Sequence, residues 1–208
     1  MNDREFPPGF FDRADPTADA GFYAFERLVT HIDDAAIATV GDLYDELGLT
    51  GTVLDLMGSW VSHFHTAPAH LTVLGMNAGE LAANPQAAAT VVHDLNADPH
   101  VPFDADSFDA AVCCVSVDYL TRPIEVLADL ARVLRPGAPF VCTFSNRCFP
   151  TKAIRGWLAT DDAGHCGIVE RYFERSGGFD PAVTRRCTPP GRGDPLFAVW
   201  APAREARS

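Results

Sequence analysis

The sequence predicts an α/β fold with a doubly wound, mostly parallel sheet of seven strands and a C-terminal antiparallel hairpin strand. Short apolar runs alternate with segments of helical periodicity along most of the chain. Two runs, FDAAVCCV and PFVCTF, are continuously apolar, as expected of parallel strands covered on both faces. The helical stripe in TRPIEVLADLARVLRPG separates them and supplies the right-handed crossover that parallel strands require. Together these observations predict a Rossmann-like architecture.

The apolar runs place the strands. Five fall at about 52–56, 71–76, 90–93, 109–115 and 139–145. A further strand is expected near 181–187, and the apolar PLFAVWAP follows it after the turn-rich TPPGRGDP. Two strands joined by a Gly/Pro loop indicate an antiparallel hairpin that closes the sheet.

Three segments have helical character. Between residues 31 and 47 apolar side chains recur at helical spacing, with two aspartates in the first turn and Gly48 as a stop. The crossover helix starts near Pro123 and ends at the Pro-Gly pair of LRPG. A third helix-like segment covers about 165–176. Residues 1–20 carry three prolines and predict irregular structure.

The charge balance restricts the class of partner. Lysine and arginine number 16 against 28 aspartates and glutamates, which gives a formal charge of -12. Such a surface repels polyphosphate, so neither nucleic acid nor an anionic membrane is expected as the main partner. The composition favours a small-molecule partner.

Targeting signals and cysteine usage predict the compartment. No apolar run approaches the roughly 20 residues that cross a bilayer. The start, MNDREFPPGFF, lacks the basic and apolar regions of a signal peptide. The six cysteines include no CxxC pair, and three of them lie in apolar runs, where cysteine behaves as a small hydrophobe. We therefore expect reduced thiols and a cytoplasmic protein.

The residues that follow the predicted parallel strands are the candidates for a ligand site. In open α/β sheets this edge, outside the carboxyl ends of the strands, is where ligands bind. The residues are Asp55, Met57, Gly58, Ser59, Asn77, Asp94, Leu95, Asn96, Cys114, Val115, Asp118, Tyr119 and Arg147. Taken singly, Asp55, Asn77 and Asp94 are also explained as turn or cap residues, and only their common register predicts one site.

Four segments carry a resemblance to a known family. In chain order they are VLDLMGSW, LTVLGMNAGEL, VVHDLNADPHVPFDADSFDAAVCCVSVDYL and VLRPGAPFVCTFSNR. This set resembles the class I S-adenosylmethionine-dependent methyltransferases, and most of all the type 11 small-molecule methyltransferase group. The resemblance implies S-adenosyl-L-methionine as cofactor and in-line methyl transfer to an O, N, S or C nucleophile of a small-molecule acceptor.

The resemblance also implies how the single domain, 1–208, is organised. An N-terminal irregular segment and capping helix are expected over 1–48, and a cofactor-binding core over 49–147. The remaining part, 148–208, is expected to hold a helix and the closing hairpin.

The cofactor loop departs from the family pattern. The positions matched to this loop and to the methionine end of the cofactor are Asp55, Met57, Gly58, Ser59, Cys114 and Val115. Relatives offer two or three glycines after Asp55, whereas here only Gly58 lets the backbone approach a ligand closely. A tighter or reshaped methionine pocket is expected.

The nucleoside contacts are matched to the next two strand ends. Asn77 replaces the family's ribose-binding acid and thereby loses a charge-assisted hydrogen bond, for which nearby Glu80 could substitute in part. Asp94 matches the acid that accepts from the adenine amino group. The backbone N–H of Leu95 would face the ring, with Asn96 beside it.

The acceptor and the chemistry leave weaker signals. Methyl transfer from a sulfonium needs mainly positioning, and a base only where the nucleophile must lose a proton. The candidate bases are His31, His63 and His165. The candidate substrate contacts are Tyr23, Arg27, Asp118, Tyr119 and Arg147. Each is equally open to a structural role, and the fork of Arg147 suits a carboxylate or phosphate.

The sequence also bears on three other functions: metal binding, dehydrogenase activity and a role as a binding or partner module. His63, His65 and His70 have no carboxylate or cysteine at ligand spacing, so no metal is expected. A dehydrogenase requires G-x-G-x-x-G, but LMGSWV has one glycine. The missing glycines and Asn77 leave open a protein of this fold that binds the cofactor weakly and acts as a binding or partner module. The sequence leaves the acceptor and the oligomeric state open.

Overall fold

A seven-stranded sheet with helices on both faces forms the centre of the computed structural model, which describes residues 6–191 and 193–205. The strands are β1 (Thr52–Leu56), β2 (His70–Gly75), β3 (Ala89–Val92), β4 (Ala110–Cys114), β5 (Pro139–Phe144), β6 (Val183–Arg186) and β7 (Phe197–Pro202). The helices are α1 (Asp19–Phe22), α2 (Asp34–Glu46), α3 (Ala78–Ala82), α4 (Pro123–Val133), α5 (Arg155–Leu158) and α6 (Asp162–Ser176). Among the residues described, no helix combines the length and apolarity needed to span a bilayer.

The strand order is β3-β2-β1-β4-β5-β7-β6. Strands β1 to β5 pair in parallel, while β7 runs antiparallel between β5 and β6. The order reverses between β1 and β4, the position at which doubly wound sheets bind ligands. The predicted α/β sheet with its C-terminal antiparallel hairpin is confirmed, and strand ends differ from the predicted ones by one or two residues.

Both faces of the sheet are buried because apolar side chains occupy both sides of the central strands. In β1, Leu54 and Leu56 pack into the core that contains residues of α4 and α6. Val53 points the other way, into the core that contains residues of α2. By the same alternation, Asp55 lies on the α2 side of the sheet.

Helix α2 begins later than the periodicity predicts. Asp33 is its N-cap, and the side chain accepts the N–H of Ala36 at 2.8 Å. The N–H of Asp194 donates to Asp33 at 2.7 Å, and the N–H of Asp33 donates to Asp194 at 3.1 Å. The helix start predicted at residue 31 is therefore wrong, and residues 23–33 are not helical.

The first part of the chain is more ordered than its prolines predict. Residues 19–22 form α1, and the buried Asp19 anchors this segment to the domain. Both carboxylate oxygens of Asp19 accept from Arg13, at 2.8 and 2.9 Å. Asn96 donates to Asp19 at 2.8 Å, and the ammonium of Lys152 lies 3.2 Å away. The prediction of irregular structure over residues 1–20 is therefore wrong at the start of α1. Residues 1–5 lie outside the described part of the chain.

Removal of the Lys152 charge is expected to lower the free energy of unfolding by about 2 kcal/mol, the size of a lost hydrogen bond to a charged group. The ammonium is fully buried and contacts Asp15 at 3.0 Å and the carbonyl of Thr17 at 2.9 Å. Lys152→Met keeps the apolar stem but leaves these oxygens without their donor. Urea unfolding measures the change. Arg155→Met is the control, because Arg155 pairs with Asp12 at the surface, where about 1 kcal/mol or less is expected. Equal midpoints for the two variants would contradict the prediction.

Candidate functional site

A cavity opens at the carboxyl ends of β1, β2, β3 and β4; we call it the first cavity. It encloses about 840 Å³, part of which is open to solvent. The sheet side contributes Met57, Gly58, Ser59, Leu74, Gly75, Met76, Glu80, His93, Asp94, Leu95, Asn96, Val115 and Ser116. The opposite side contributes Asp19, Tyr23, Arg27, His31, Tyr119 and Phe149. Residues from four strand ends therefore meet in one site, under a cover formed mainly by residues that precede α2 and completed by Tyr119 and Phe149.

Two residues of this cavity have strained backbones. Met57, directly after β1, has φ 59°, and Val115, directly after β4, has φ 47°. A left-handed conformation costs a side-chain-bearing residue on the order of 1–3 kcal/mol and is least tolerable for a β-branched residue such as Val115. The chain thus turns at both strand ends as glycine would, while presenting side chains to the cavity.

Two glycines bring the loop after β1 close to β2. The N–H of Gly58 donates to the carbonyl of Leu74 at 2.9 Å. A Cβ on Gly75 would overlap the carbonyl oxygen of Gly58, and a Cβ on Gly58 would lie 2.6 Å from a methyl of Val73. Neither position has room for a side chain, so bare backbone forms this part of the cavity wall.

Glu80 supplies a carboxylate to the cavity. One oxygen accepts the N–H of Arg27 at 2.7 Å, and the other accepts the hydroxyl of Ser59 at 2.6 Å. The carboxylate therefore joins the cover segment to the loop after β1. A carboxylate has about four acceptor positions, so two remain for a ligand.

The polar atoms of the Asn77 side chain are engaged by neighbouring backbone, which leaves one N–H of the amide unused. Its side-chain oxygen caps α3 by accepting the N–H groups of Gly79 and Glu80, at 2.9 and 3.0 Å. Its amide nitrogen donates to the carbonyl of Tyr23 at 2.9 Å. Asn77 does not line the first cavity. Local helix capping therefore engages the side chain that the sequence predicts as a ribose contact, and that contact stays a prediction.

Asp94 and Leu95 follow β3 and line the cavity with free hydrogen-bonding positions. One carboxylate oxygen of Asp94 accepts the N–H groups of Asn96 and Ala97, at 2.9 and 3.2 Å. For the other oxygen, and for the N–H of Leu95, no partner exists among the described residues. An acceptor and a donor therefore stand side by side at the end of β3.

Residues 54–142 match a family model described as a methyltransferase domain. This match runs from β1 into β5, which is less than half of the chain, and that part is similar to a methyltransferase domain. No curated protein sequence matches the chain. The predicted family resemblance is confirmed by the match and by the fold.

Solved structures share the fold of the methyltransferase domain at low sequence identity. A chain from the complex between the Haloferax volcanii Trm112 methyltransferase activator and a putative methyltransferase has a TM-score of 0.63 and 14% identity, covering 83% of this chain and 92% of that one. A SAM-dependent methyltransferase from Aquifex aeolicus has a TM-score of 0.57, 15% identity and coverages of 82% and 94%. The Burkholderia thailandensis 1,6-didemethyltoxoflavin-N1-methyltransferase, with 1,6-didemethyltoxoflavin and S-adenosylhomocysteine bound, has a TM-score of 0.58 and 15% identity. The match covers 83% of this chain and 80% of that one.

Three other predicted cofactor contacts are placed differently in the methyltransferase domain. Asp55 is buried and lies outside the first cavity; burial raises the pKa of its carboxyl to about 7, against the effect of a hydrogen bond with Ser62. Cys114 lies outside the cavity too, and its carbonyl accepts the hydroxyl of Ser116 at 3.0 Å. Asn96 does line the cavity, but both ends of its amide bond Asp19, Tyr119 and Thr121. Direct cofactor contacts from Asp55 and Cys114 stay predictions, and neither residue lines the first cavity.

The three candidate bases lie in different places. His31 lines the first cavity, and burial together with Arg27 lowers the pKa of its imidazole, while Glu80 acts in the opposite direction. His63 is more deeply placed outside it, with Nδ1 unpartnered among the described residues; burial lowers its pKa to about 4. His165 stacks on Trp157, with ring centroids 3.9 Å apart, in a separate cavity beside α6. Of the three predicted bases, only His31 lines the first cavity, and a catalytic role stays a prediction for each of them.

Aromatic rings form the outer wall of the first cavity. Tyr119 and Phe149 have ring centroids 6.0 Å apart, and the Tyr119 hydroxyl accepts the N–H of Phe149 at 2.8 Å. The guanidinium of Arg27 lies 4.5 Å from the ring centroid of Phe22 and donates to the carbonyls of Phe22 and Phe25. Tyr23, Arg27 and Tyr119 thus line the first cavity, and their predicted role as substrate contacts stays a prediction. Arg27 also holds the cover in place.

Asp118, a predicted substrate contact, is a buried residue. It is 2% exposed and lines neither the first cavity nor the cavity that contains Arg147, so a substrate contact there stays a prediction. Its Oδ2 and the hydroxyl of Tyr172 are buried without partners among the described residues. Burial raises the pKa of the Asp118 carboxyl to about 8.

Arg147 borders a second cavity that adjoins the first. The residues of the second cavity are Thr30, His31, Ile32, Val115, Tyr119, Arg147, Cys148, Phe149 and Asp194. The Nε of Arg147 donates to Asp194 at 2.8 Å. Arg147 is therefore near the predicted site but not in the first cavity.

Some residues of the site were not predicted from the sequence. Gly75 ends β2, and its role depends on contact with a loop 17 residues earlier, which no local pattern reveals. Asp19 and Phe149 lie outside the segments that resemble the family. A glycine inside an apolar strand run is the one signal available, because it often marks close approach of another backbone.

Proposed function

We propose that this protein is an S-adenosylmethionine-dependent methyltransferase that acts on a small-molecule acceptor. The observation that carries the proposal is the row of free hydrogen-bonding positions on Glu80, Asp94 and Leu95 along one cavity of a methyltransferase domain. An acceptor beside a donor at Asp94 and Leu95 suits the amino group and ring nitrogen of adenine. The remaining acceptor positions of Glu80 suit the two hydroxyls of a ribose.

The other end of the first cavity fits the amino-acid part of the cofactor. The backbone around Gly58 can approach a ligand closely because a side chain has no room there. Met57 and Val115 narrow the space at the same end, which supports a tight methionine pocket. The residues present therefore fit the cofactor, with Glu80 in place of Asn77.

When bound, S-adenosylmethionine would supply an electrophilic methyl group whose bond to sulfur breaks with the electron pair left on sulfur. The chain would orient the reactants and exclude water. His31 lines both cavities, and the lowered pKa of its imidazole keeps it neutral near pH 7. It is in position to take the proton that an O–H, N–H or S–H nucleophile loses.

The formal charge of -12 supports a small molecule rather than nucleic acid as the acceptor. The Burkholderia thailandensis enzyme, a small-molecule methyltransferase by its description, shares the fold. Cys113 and Cys142 serve as buried apolar side chains in β4 and β5, which supports the cytoplasm as the location.

Calorimetric titration with S-adenosylmethionine and S-adenosylhomocysteine tests the proposal. Saturable binding of both is expected, with an affinity that Asp94→Ala lowers about tenfold or more through loss of a charge-assisted hydrogen bond. Asp98→Ala is the matched control, since Asp98 is exposed in the same loop and outside the first cavity. Absence of binding at millimolar ligand would overturn the proposal.

A second candidate function is a binding or partner module with the same fold. It is favoured by the contacts that Ser59 and Arg27 make with Glu80, because they occupy part of the carboxylate a cofactor would use. A neighbour in fold comes from a complex with a protein activator. Failure of both ligands to bind in the titration would support this alternative.

A further inference from the structure

The two cavities meet at a junction formed by residues that line both. These are His31, Val115, Tyr119 and Phe149. In an in-line displacement the nucleophile approaches the carbon opposite the leaving group, so it needs a space that adjoins the cofactor cavity without overlapping it. The second cavity has this relation to the first, and its empty volume of about 810 Å³, partly open to solvent, accommodates a small molecule.

The more exposed member of the ion pair that lines the second cavity is the positive one, although the Asp33 carboxylate also lies within electrostatic reach of it. Arg147 and Asp194 form an ion pair whose two members differ in exposure: the arginine side chain is 63% exposed and the aspartate side chain 11%. The carboxylate is also satisfied by the backbone N–H of Asp33. Arg147 uses only Nε in the pair, and its two terminal nitrogens have no partner among the described residues. The group offered to a ligand is therefore the outer edge of a guanidinium, which matches a planar or tetrahedral oxyanion.

The wall near the junction is aromatic. The rings of His31 and Phe149 meet edge-on with centroids 5.1 Å apart, and Tyr119 packs against Phe149 from another side. Flat rings of this kind favour contact with a planar ring of a ligand. Between the junction and Arg147, the cavity thus offers ring contact at one end and a positive charge at the other.

We propose that the second cavity binds the methyl acceptor, and that the acceptor is a ring-bearing small molecule with a carboxylate or phosphate group that Arg147 holds. This inference rests on the proposed function and gives it a substrate class. His31, at the junction, faces the nucleophile, while the anionic group lies toward Arg147. Arg147 is then a specificity residue that acts by binding rather than in the chemistry.

The test uses calorimetric titration with three probes: 4-hydroxybenzoate, phenyl phosphate and the neutral 4-hydroxybenzamide. Each is titrated into the protein alone and into the protein saturated with S-adenosylhomocysteine. At least one anion is expected to bind about tenfold more tightly than the amide, the size of one charge-assisted hydrogen bond. The tighter of the two anions identifies the group as carboxylate or phosphate. S-adenosylhomocysteine is expected to leave anion binding intact.

Variants assign the preference to Arg147. Arg147→Met is expected to abolish the preference for the anion and to leave S-adenosylhomocysteine binding unchanged, since Arg147 does not line the first cavity. Arg122→Met is the matched control, because Arg122 forms a similar pair with Glu125 outside both cavities. Thermal unfolding checks that both variants fold, and the comparison of acid with amide in the unaltered protein needs no variant.

Three results would overturn the inference: equal affinity for acid and amide, competition between the anion and S-adenosylhomocysteine, or an anion preference that survives Arg147→Met. Failure of the proposed function has a different signature. In that case S-adenosylhomocysteine does not bind, while the Arg147-dependent preference for the anion persists in the protein alone.

Discussion

Replacement of Asp118 by asparagine is expected to remove a loss of stability that the protein shows as the pH rises from about 4 to about 8. The carboxyl of Asp118 is fully buried, and burial raises its pKa to about 8. In the unfolded chain an aspartate titrates near pH 4. Between these values the unfolded state has lost the proton that the folded state keeps.

The sign follows from this difference in bound protons. Below about pH 4 both states are protonated and the group costs nothing. Above that, the free energy of unfolding falls by about 1.4 kcal/mol per pH unit, until the folded carboxyl also ionises near pH 8. The full loss is on the order of 5 kcal/mol, because a raised pKa means stability that is complete at low pH and lost as the pH rises.

Asparagine has the shape of the protonated acid but does not ionise, so Asp118→Asn should match the unaltered protein near pH 3.5, below the unfolded pKa, and exceed it near pH 8.5. Urea unfolding at both pH values measures the difference. Asp98→Asn, at an exposed position, should leave the profile unchanged. The buried carboxyl of Asp55 has a pKa raised to about 7, so it also lowers the free energy of unfolding as the pH rises. That contribution should remain in both variants. Parallel profiles for the unaltered protein and Asp118→Asn would contradict the prediction.

The fold was predictable because the signals for it are local. Continuous apolar runs identify β4 and β5, and the stripe of α4 lies between a proline and a Pro-Gly pair. The start of α2 was not predictable, because its cap depends on a reciprocal pair of hydrogen bonds between Asp33 and Asp194, 161 residues apart. A periodic pattern carries no record of such a partner.

The site was predictable as an edge of the sheet but only in part as a set of contacts. Asp94 and Leu95 lie in the cavity because the register of a parallel strand fixes where it ends. The contacts of Asn77 and Glu80 have a local reason. An asparagine followed three residues later by a glutamate is a helix-start signature, and Asn77 does cap α3. In a capping box the glutamate side chain would accept the backbone N–H of the cap residue. Glu80 instead accepts from Ser59 and from the backbone N–H of Arg27 in the cavity.

The candidate bases show why residue type alone does not identify a site. His165 follows the cap of α6, but its side chain turns into the domain, where it stacks on Trp157 and hydrogen-bonds its carbonyl at 2.9 Å. His31 reaches the cavity because residues 23–33 cross the strand ends without forming a helix. The positions of both side chains depend on packing between segments that are distant in the sequence. The presence of a histidine alone does not predict that packing.

Glu80→Gln is expected to weaken adenosine binding about a hundredfold, which equals about 2.7 kcal/mol. The carboxylate already accepts from Arg27 and Ser59, and its two remaining acceptor positions suit the two ribose hydroxyls. Each such bond to a charged acceptor is worth about 1.5–3 kcal/mol. Glutamine replaces one oxygen with a donor, so Ser59 and the ribose then compete for a single acceptor atom.

A structural role for Glu80 would also weaken binding, because the same carboxylate holds the cover to the loop after β1. The sugar hydroxyls separate the two roles. If Glu80 binds the ribose, Glu80→Gln weakens adenosine but leaves the affinity of 2′,3′-dideoxyadenosine nearly unchanged; an equal loss for both would show that Glu80 only supports the loop. Glu46→Gln, whose exposed carboxylate pairs with Arg185, is the matched control and should alter neither affinity. The comparison thereby tests whether the ribose is bound by an acid within α3 rather than by the residue at the end of β2.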